Sequence, residues 1–266
     1  MIDYYQTKRE EEKRKKKIRM MSILIFVFIL VLCAVVFGSM RLSFFVLRDV
    51  TVVAQGKDPF DVSQAKEDAQ KIIDTHQSFL LGGHSIFSVA YASKQIAREL
   101  LQKNSSWASV DVHINYFSRT VSITITPYEK WGMWCNNAQS CAWFNQSCFA
   151  FAQAPATQGG LIRTVFVTQE KDIPIGTTII NESSCANLIA IFDFLQTVDI
   201  DDKRVWFDPS LGNIKSSSDG FPEFIFSLRT NPSFATLVVQ DQLRARYRSI
   251  SYIDLRVLNR VYYREK

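Results

Sequence analysis

The chain has 266 residues, 47% hydrophobic and 21% charged, with a formal charge of +5. Of its 31 Lys/Arg, nine lie in the first 41 residues, and of its 26 Asp/Glu, four do, so residues 42–266 balance at 22 of each. The basic excess therefore belongs to one end and gives no support to nucleic-acid binding, while the remaining 225 residues are enough for two small domains.

Met20 to Met40 carries no charge and is bracketed by Arg19 and Arg41. As a helix these residues span roughly 30 Å, the thickness of a bilayer's hydrocarbon core. Eight Lys/Arg (Lys8, Arg9, Lys13 to Lys17 and Arg19) precede the run, against Asp3 and Glu10 to Glu12. The positive-inside bias puts residues 1–19 in the cytoplasm and the chain beyond Arg41 on the far side. A cleaved signal peptide shares the basic start, but this apolar run is longer than its core, and Phe37 to Met40 is a poor cleavage site. No polar face interrupts the run, as a soluble core helix would require. The expectation is a single-pass anchor in the cytoplasmic membrane.

After the anchor, a short apolar lead (Phe44, Phe45, Val46, Leu47) runs into Val50 to Val53, a strand ended by Gly56 and Pro59. Asp61 with Gln64 forms a capping-box pattern. It opens a helix with Ala65, Ala69, Ile72 and Ile73 on one face and Lys66, Asp68 and Lys71 on the other. Gly82-Gly83 breaks the chain, and Ser88 caps a second helix carrying Val89, Ala92, Ile96 and Leu100. The period then changes to two: Val110, Val112, Ile114, a turn over Asn115 to Ser118, then Val121, Ile123, Ile125, which is a hairpin. Strand, helix, helix, strand, strand is expected over residues 44–128, with both helices on one face of a three-stranded sheet.

Residues 129–266 read as a mixed, mainly antiparallel β domain with flanking helices. Trp131, Trp134, Trp143, Phe144, Phe149 and Phe151 crowd its first hairpin and are expected to pack the sheet rather than to stack a ligand. Arg163 to Thr168 is a strand and Ser183 to Val198 a helix. Lys203 to Phe207 and Glu223 to Arg229 are strands, separated by a loop at Ser216 to Gly220. Asn231-Pro232 starts a helix to about Tyr247, whose end is complemented by Arg244, Arg246 and Arg248. Two strands close the chain, Tyr252 to Val257 and Arg260 to Arg264, joined at Leu258-Asn259.

Cys33 lies in the anchor; Cys135, Cys141, Cys148 and Cys185 lie beyond it, where disulfides persist. Four cysteines allow three pairings. Cys135 and Cys141, six apart around Asn136-Asn137, suit the arms of a tight hairpin, which leaves Cys148 with Cys185. Zinc is the alternative, disfavoured because there is no C-x-x-C and no histidine after His113.

The pattern resembles the FtsQ/DivIB family of cell-division proteins: a basic tail, one anchor, a βααββ module and a strand-rich C-terminal domain. The module resembles a POTRA domain, and Asp111-Val-His-Ile with Arg119 to Glu129 is similar to that family's stretch. The most specific piece is Ser251-Tyr-Ile-Asp-Leu-Arg256 with Asn259-Arg-Val-Tyr-Tyr-Arg264. Two departures stand out: Phe144-Asn-Gln-Ser-Cys148 replaces a family turn containing Asp and Gly, and the exported cysteines are not a general family feature. The resemblance implies a non-enzymatic scaffold at the division septum that binds FtsB-like and FtsL-like partners and regulates septal peptidoglycan synthesis. Carried over by position, the partner-binding residues are Val257, Arg260, Val261, Tyr262, Tyr263 and Arg264, on a terminal strand whose edge accepts a partner segment. The competing reading has that strand capped by its own loops.

Other classes are less well supported. His76, His84 and His113 sit in no catalytic motif, Asp254 and Arg256 suit a structural salt bridge, and no Gly-rich phosphate loop is present. No enzyme activity, cofactor or metal is expected. A single-pass protein with a POTRA-like ectodomain in secretion, envelope assembly or sensing is the alternative. Its weaknesses are the 19-residue tail and the lack of a second helical-pair repeat. Three N-x-S/T triplets, at Asn104, Asn145 and Asn181, are common by chance.

Overall fold

A computed structural model describes residues 2–40, 46–56, 61–76, 85–136, 140–156, 159–168 and 172–266. Phe44, Phe45, Pro59, Gly82-Gly83, His84 and Asn137, singled out above, lie outside the described residues. The protein is α+β and divides into two compact units, the first carrying the N-terminal helix and most of the chain from there to Ile125, the second carrying Thr126–Lys266.

The first element is the long helix α1 (Ile2–Met40). Its stretch Lys16–Val36 is long and apolar enough to cross a membrane, and none of it is buried in protein.

The rest of this unit runs β1 (Asp49–Ala54), α2 (Val62–Thr75), α3 (Ile86–Lys103), β2 (Trp107–Asn115) and β3 (Thr120–Pro127). The three strands form a sheet in the order β1-β3-β2, with β1 parallel to β3 from Asp49 opposite Thr120 to Ala54 opposite Ile125. Val121, Ile123 and Ile125 are fully buried while their neighbours are not, so one face is covered and the other is wet. Ala65, Ala69 and Ile73 of α2 and Val89, Ala92, Ile96 and Leu100 of α3 are buried as well, each large side chain contributing about 1.5–3 kcal/mol. Asp61 caps α2 as its sequence predicts, accepting from the N–H groups of Ser63 and Gln64. The cap of α3 is a correction: the helix starts at Ile86, and Ser85, not Ser88, accepts from Phe87 N–H. Ser88 is buried and spends its hydroxyl on the His76 carbonyl.

The second unit is one ten-stranded mixed sheet with helices. In chain order it has β4 (Gly132–Asn136), β5 (Ser140–Phe144), β6 (Phe149–Ala154), β7 (Thr164–Val167), β8 (Thr177–Thr178), α4 (Glu182–Thr197), β9 (Arg204–Asp208), β10 (Asn213–Ser216), β11 (Glu223–Ser227), β12 (Ile250–Asp254) and β13 (Tyr262–Glu265). Across the sheet the order is β13-β12-β11-β10-β9-β7-β4-β5-β6-β8. The pairs β4–β7, β7–β9 and β11–β12 are parallel and the other six antiparallel. One register row crosses the sheet through Trp134, Val165 and Val205, and another runs Phe224, Ile253, Tyr263. All of these except the exposed Tyr263 face a core shared with Leu188, Ile191, Phe192 and Leu195 of α4. Trp134 and Phe144 are buried in that core and Trp131 packs against it, so these aromatics are packing residues.

Both disulfides expected from the sequence are present. Cys135 and Cys141 are directly opposed on β4 and β5, 4.0 Å apart at Cα, and Cys148–Cys185 joins the β5–β6 turn to α4. The four thiols are thereby unavailable as zinc ligands. The turn that lacks Asp and Gly is built by substitutes: Asn145 Oδ1 accepts from Ser147 and Phe149 N–H, and Cys148 takes the left-handed conformation at φ 54°. Asn104 and Asn181 likewise accept from the N–H of Ser106 and Ser184. The Asn of each N-x-S/T triplet thus has a local structural use.

Three further differences from the sequence reading have local causes. β10 lies just before the predicted loop, its four residues too few to show a period. The helix predicted from Asn231 to about Tyr247 is instead a chain of turns: 3-10 (Pro232–Ala235), one α turn (Thr236–Val238), π (Val239–Leu243) and 3-10 (Arg244–Ser249). Beyond Pro232, its buried residues are Ala235, Val239, Leu243 and Tyr247, four apart. On an ideal α-helix each step of four overshoots a full turn by about 40°, and the wider π turn reduces that drift between Val239 and Leu243. The final strands are shorter than expected. β12 stops at Asp254, because Arg256 N–H turns to the Asp254 carboxylate, and Arg260 and Val261 precede β13.

Candidate partner-binding edge

β13 is the last strand of the sheet on one side; β8, only two residues long, is the last on the other. β13 pairs antiparallel with β12, Asp254 opposite Tyr262, Ile253 opposite Tyr263 and Tyr252 opposite Arg264, with an irregularity between Ile250 and Tyr252. Among the described residues no strand pairs with its outer side, so alternate N–H and C=O groups there point outward. All four residues of β13 are exposed.

Alternation divides the predicted residues between two faces. Tyr263 continues the core row of Phe224 and Ile253, and at its rim it meets Arg246, whose guanidinium lies 5.6 Å from the ring centroid and 3.2 Å from Glu265. Tyr262 and Arg264 point to the opposite face, beside Asp254 and Tyr252. Arg260 reaches Tyr262, donating to its hydroxyl at 3.2 Å. Val257 is exposed in the connection, which turns at Asn259 (φ 59°) and is closed by Arg260 N–H on the Val257 carbonyl. Val261 is half-buried and packs against the core. Five of the six predicted residues thus present side chains to solvent, and Val261 anchors them.

Arg246 and Glu265 are the functional neighbours the sequence reading missed. Arg246 reads locally as a helix-end cation; its pairing with a strand 17–19 residues later is a tertiary fact. Arg244 pairs with Asp199. The edge is basic: Arg256, Arg260, Arg264 and Lys266 surround it, with Glu265 already engaged by Arg246.

Asp254 and Arg256 form a bidentate clasp, with Nη2 2.6 Å from Oδ2 and Nε 2.9 Å from Oδ1. Asp202 and Arg204 repeat it with the same geometry. The Arg256 side chain, and then its backbone N–H, hold the Asp254 carboxyl below its ordinary range. A depressed folded-state pKa contributes stability above the unfolded value, near 3.9, and loses it as pH falls through the folded value. Because Arg256 is 44% exposed, the clasp is worth about 1 kcal/mol or less. Asp254→Asn should therefore lower the urea midpoint at pH 7, and the gap to the parent should close as the pH falls below the ordinary carboxylate range. A gap that persists unchanged in acid would refute the charge account.

No protein-family model matches the chain, and no curated protein matches it.

Proposed function

We propose that this protein is a non-enzymatic scaffold of the FtsQ/DivIB type, held in the cytoplasmic membrane by α1 and positioned at the division septum. In this reading residues 1–19 are cytoplasmic, the βααββ module is POTRA-like, and the ten-stranded unit captures FtsB-like and FtsL-like partners outside the membrane. The observation that carries the reading is the open outer side of β13, flanked by Arg260, Tyr262 and Arg264. An extended segment adding to this edge would satisfy the outward backbone groups, and tyrosine and arginine are the residue types that anchor interfaces. The basic surroundings favour a segment with acidic flanks.

The test is capture of FtsB-like and FtsL-like ectodomains from the same genome by the full chain in detergent, beside a Tyr262→Lys variant and a chain ending at Val257. Tyr262→Lys should weaken capture by roughly tenfold or more, as expected for loss of an interface anchor, with an unchanged circular dichroism spectrum. The shortened chain uncovers the edge of β12 in place of β13, so the Tyr262→Lys variant is the discriminating one. Equal binding by parent and variant would move the contact elsewhere. Failure of the parent to bind either partner would count against the scaffold itself.

A further inference from the structure

The first unit carries a second group of side chains that the partner edge does not use. Phe117, at the tip of the β2–β3 hairpin, is 98% exposed, Tyr116 beside it 51%, and Tyr91 on α3 88%. Phe87, one turn before Tyr91 on the same side of α3, lies 6.0 Å from the Tyr116 ring. The tip is a fixed turn: Asn115 Oδ1 accepts from the N–H groups of Phe117 and Ser118, and Arg119 closes it at φ 60°. Exposed aromatic rings on a fixed turn contribute nothing to the fold's own core and call for an apolar or amphipathic contact.

Chain connectivity says which contact. β1 runs parallel to β3, so the start of β1 and the hairpin tip share one end of the sheet, and Arg48 N–H bonds the Arg119 carbonyl at 2.8 Å. Val46 pairs with Ser85 at the start of α3, bringing Phe87 to the same end. Between Met40, the last residue of α1, and Val46 there are five residues, which reach at most roughly 20 Å. The aromatic end of the unit is thus the end tethered to the apolar helix. Among the described residues the charged groups at this end include Arg48, Arg119 and the Lys66–Asp49 pair at 3.4 Å.

We propose that Phe117 and Tyr116, with Tyr91 and Phe87 behind them, form a membrane-contact site that inserts into the headgroup region of the leaflet from which the chain emerges. Arg48 and Arg119 meet the lipid phosphates. Tyrosine and other aromatic rings are favoured at this depth, where one end is apolar and the other wet. The site would fix the unit against the bilayer. This inference rests on α1 being a membrane anchor.

The experiment uses the full chain in vesicles of phosphatidylcholine and phosphatidylglycerol, with lipids spin-labelled near the headgroup or at mid-chain. Three variants each add one tryptophan to the native five: Phe117→Trp at the tip, Gln102→Trp at the far end of α3, and Phe28→Trp in α1. Gln102 is exposed and lies roughly 24 Å along α3 from Ile86. The signal added by Phe117→Trp should be quenched by the headgroup-level label at least about threefold more than that added by Gln102→Trp. Equal quenching of those two, with Phe28→Trp quenched by the mid-chain label, would overturn the contact site while leaving the anchor intact. No mid-chain quenching of Phe28→Trp would remove the anchor and the site with it.

Discussion

Replacing Phe224 with alanine is expected to destabilise the second unit by about 3–5 kcal/mol, the range for truncating a fully buried phenylalanine. Phe224 is 1% exposed and central to an aromatic cluster, its ring 6.1 Å from Phe226, 6.2 Å from Phe194 and 6.0 Å from Tyr247. These neighbours come from β11, α4 and the helical turns before β12, so no single element can move in to fill the space. Phe224 also sits opposite Ile253, which sits opposite Tyr263. The same substitution should therefore loosen β12 and β13, the two strands of the candidate edge, and weaken the proposed capture. All five tryptophans lie between residues 107 and 206, so denaturant unfolding in detergent can be followed by their fluorescence. Phe224→Leu, which keeps most of the volume, should cost about 1.5 kcal/mol or less. A loss below about 1 kcal/mol for alanine would mean that the cluster collapses freely and does not hold the edge.

Removing the Cys148–Cys185 bridge should cost nearly as much. It closes a sequence separation of 37 residues, against 6 for Cys135–Cys141. Chain-entropy arguments give about 4 kcal/mol for the long loop and about 2 kcal/mol for the short one. Position 148 has a φ of 54°, which strains cysteine and alanine alike and would be relieved by glycine, so Cys148→Ala with Cys185→Ala isolates the cross-link. Both sulfurs are buried, and the double variant also leaves a small cavity between the turn and α4. The midpoint of unfolding should fall further for this pair than for Cys135→Ala with Cys141→Ala. The reverse ranking would show that strand pairing in the β4–β5 hairpin depends on its bond more than the docking of α4 depends on the longer one.

Much of the fold was legible because it is written in local patterns. The uncharged run of α1, the cap at Asp61, the two-residue period of Val121, Ile123 and Ile125, and the six-residue hairpin spacing of Cys135 and Cys141 each concern neighbours within one element or one turn. Where the reading missed, the deciding partner was distant or the element too short. β10 has four residues and no readable period. Ser85 rather than Ser88 starts α3 because the chain enters beside Val46. Ala235, Val239, Leu243 and Tyr247, four apart, read as a helical stripe, and only the packed chain shows 3-10 and π turns in place of a regular helix.

The candidate edge divides in the same way. The sequence by itself determined that the chain begins with one membrane-length apolar helix, that an α/β unit and a β-rich unit come after it, and that the last residues form strands rich in tyrosine and arginine. Strand order is set by hydrogen bonds between segments far apart in the chain, so only the tertiary structure decided that β13 lies at the rim of ten strands, with its outer side open. It also decided that Tyr262 and Tyr263, adjacent in sequence, point to opposite faces, because side chains alternate across a strand and Arg246 from a distant turn holds one of them. The place of the aromatic hairpin tip was decided in the same way: the parallel pairing of β1 with β3 brings Phe117 to the end of the sheet at which β1 starts.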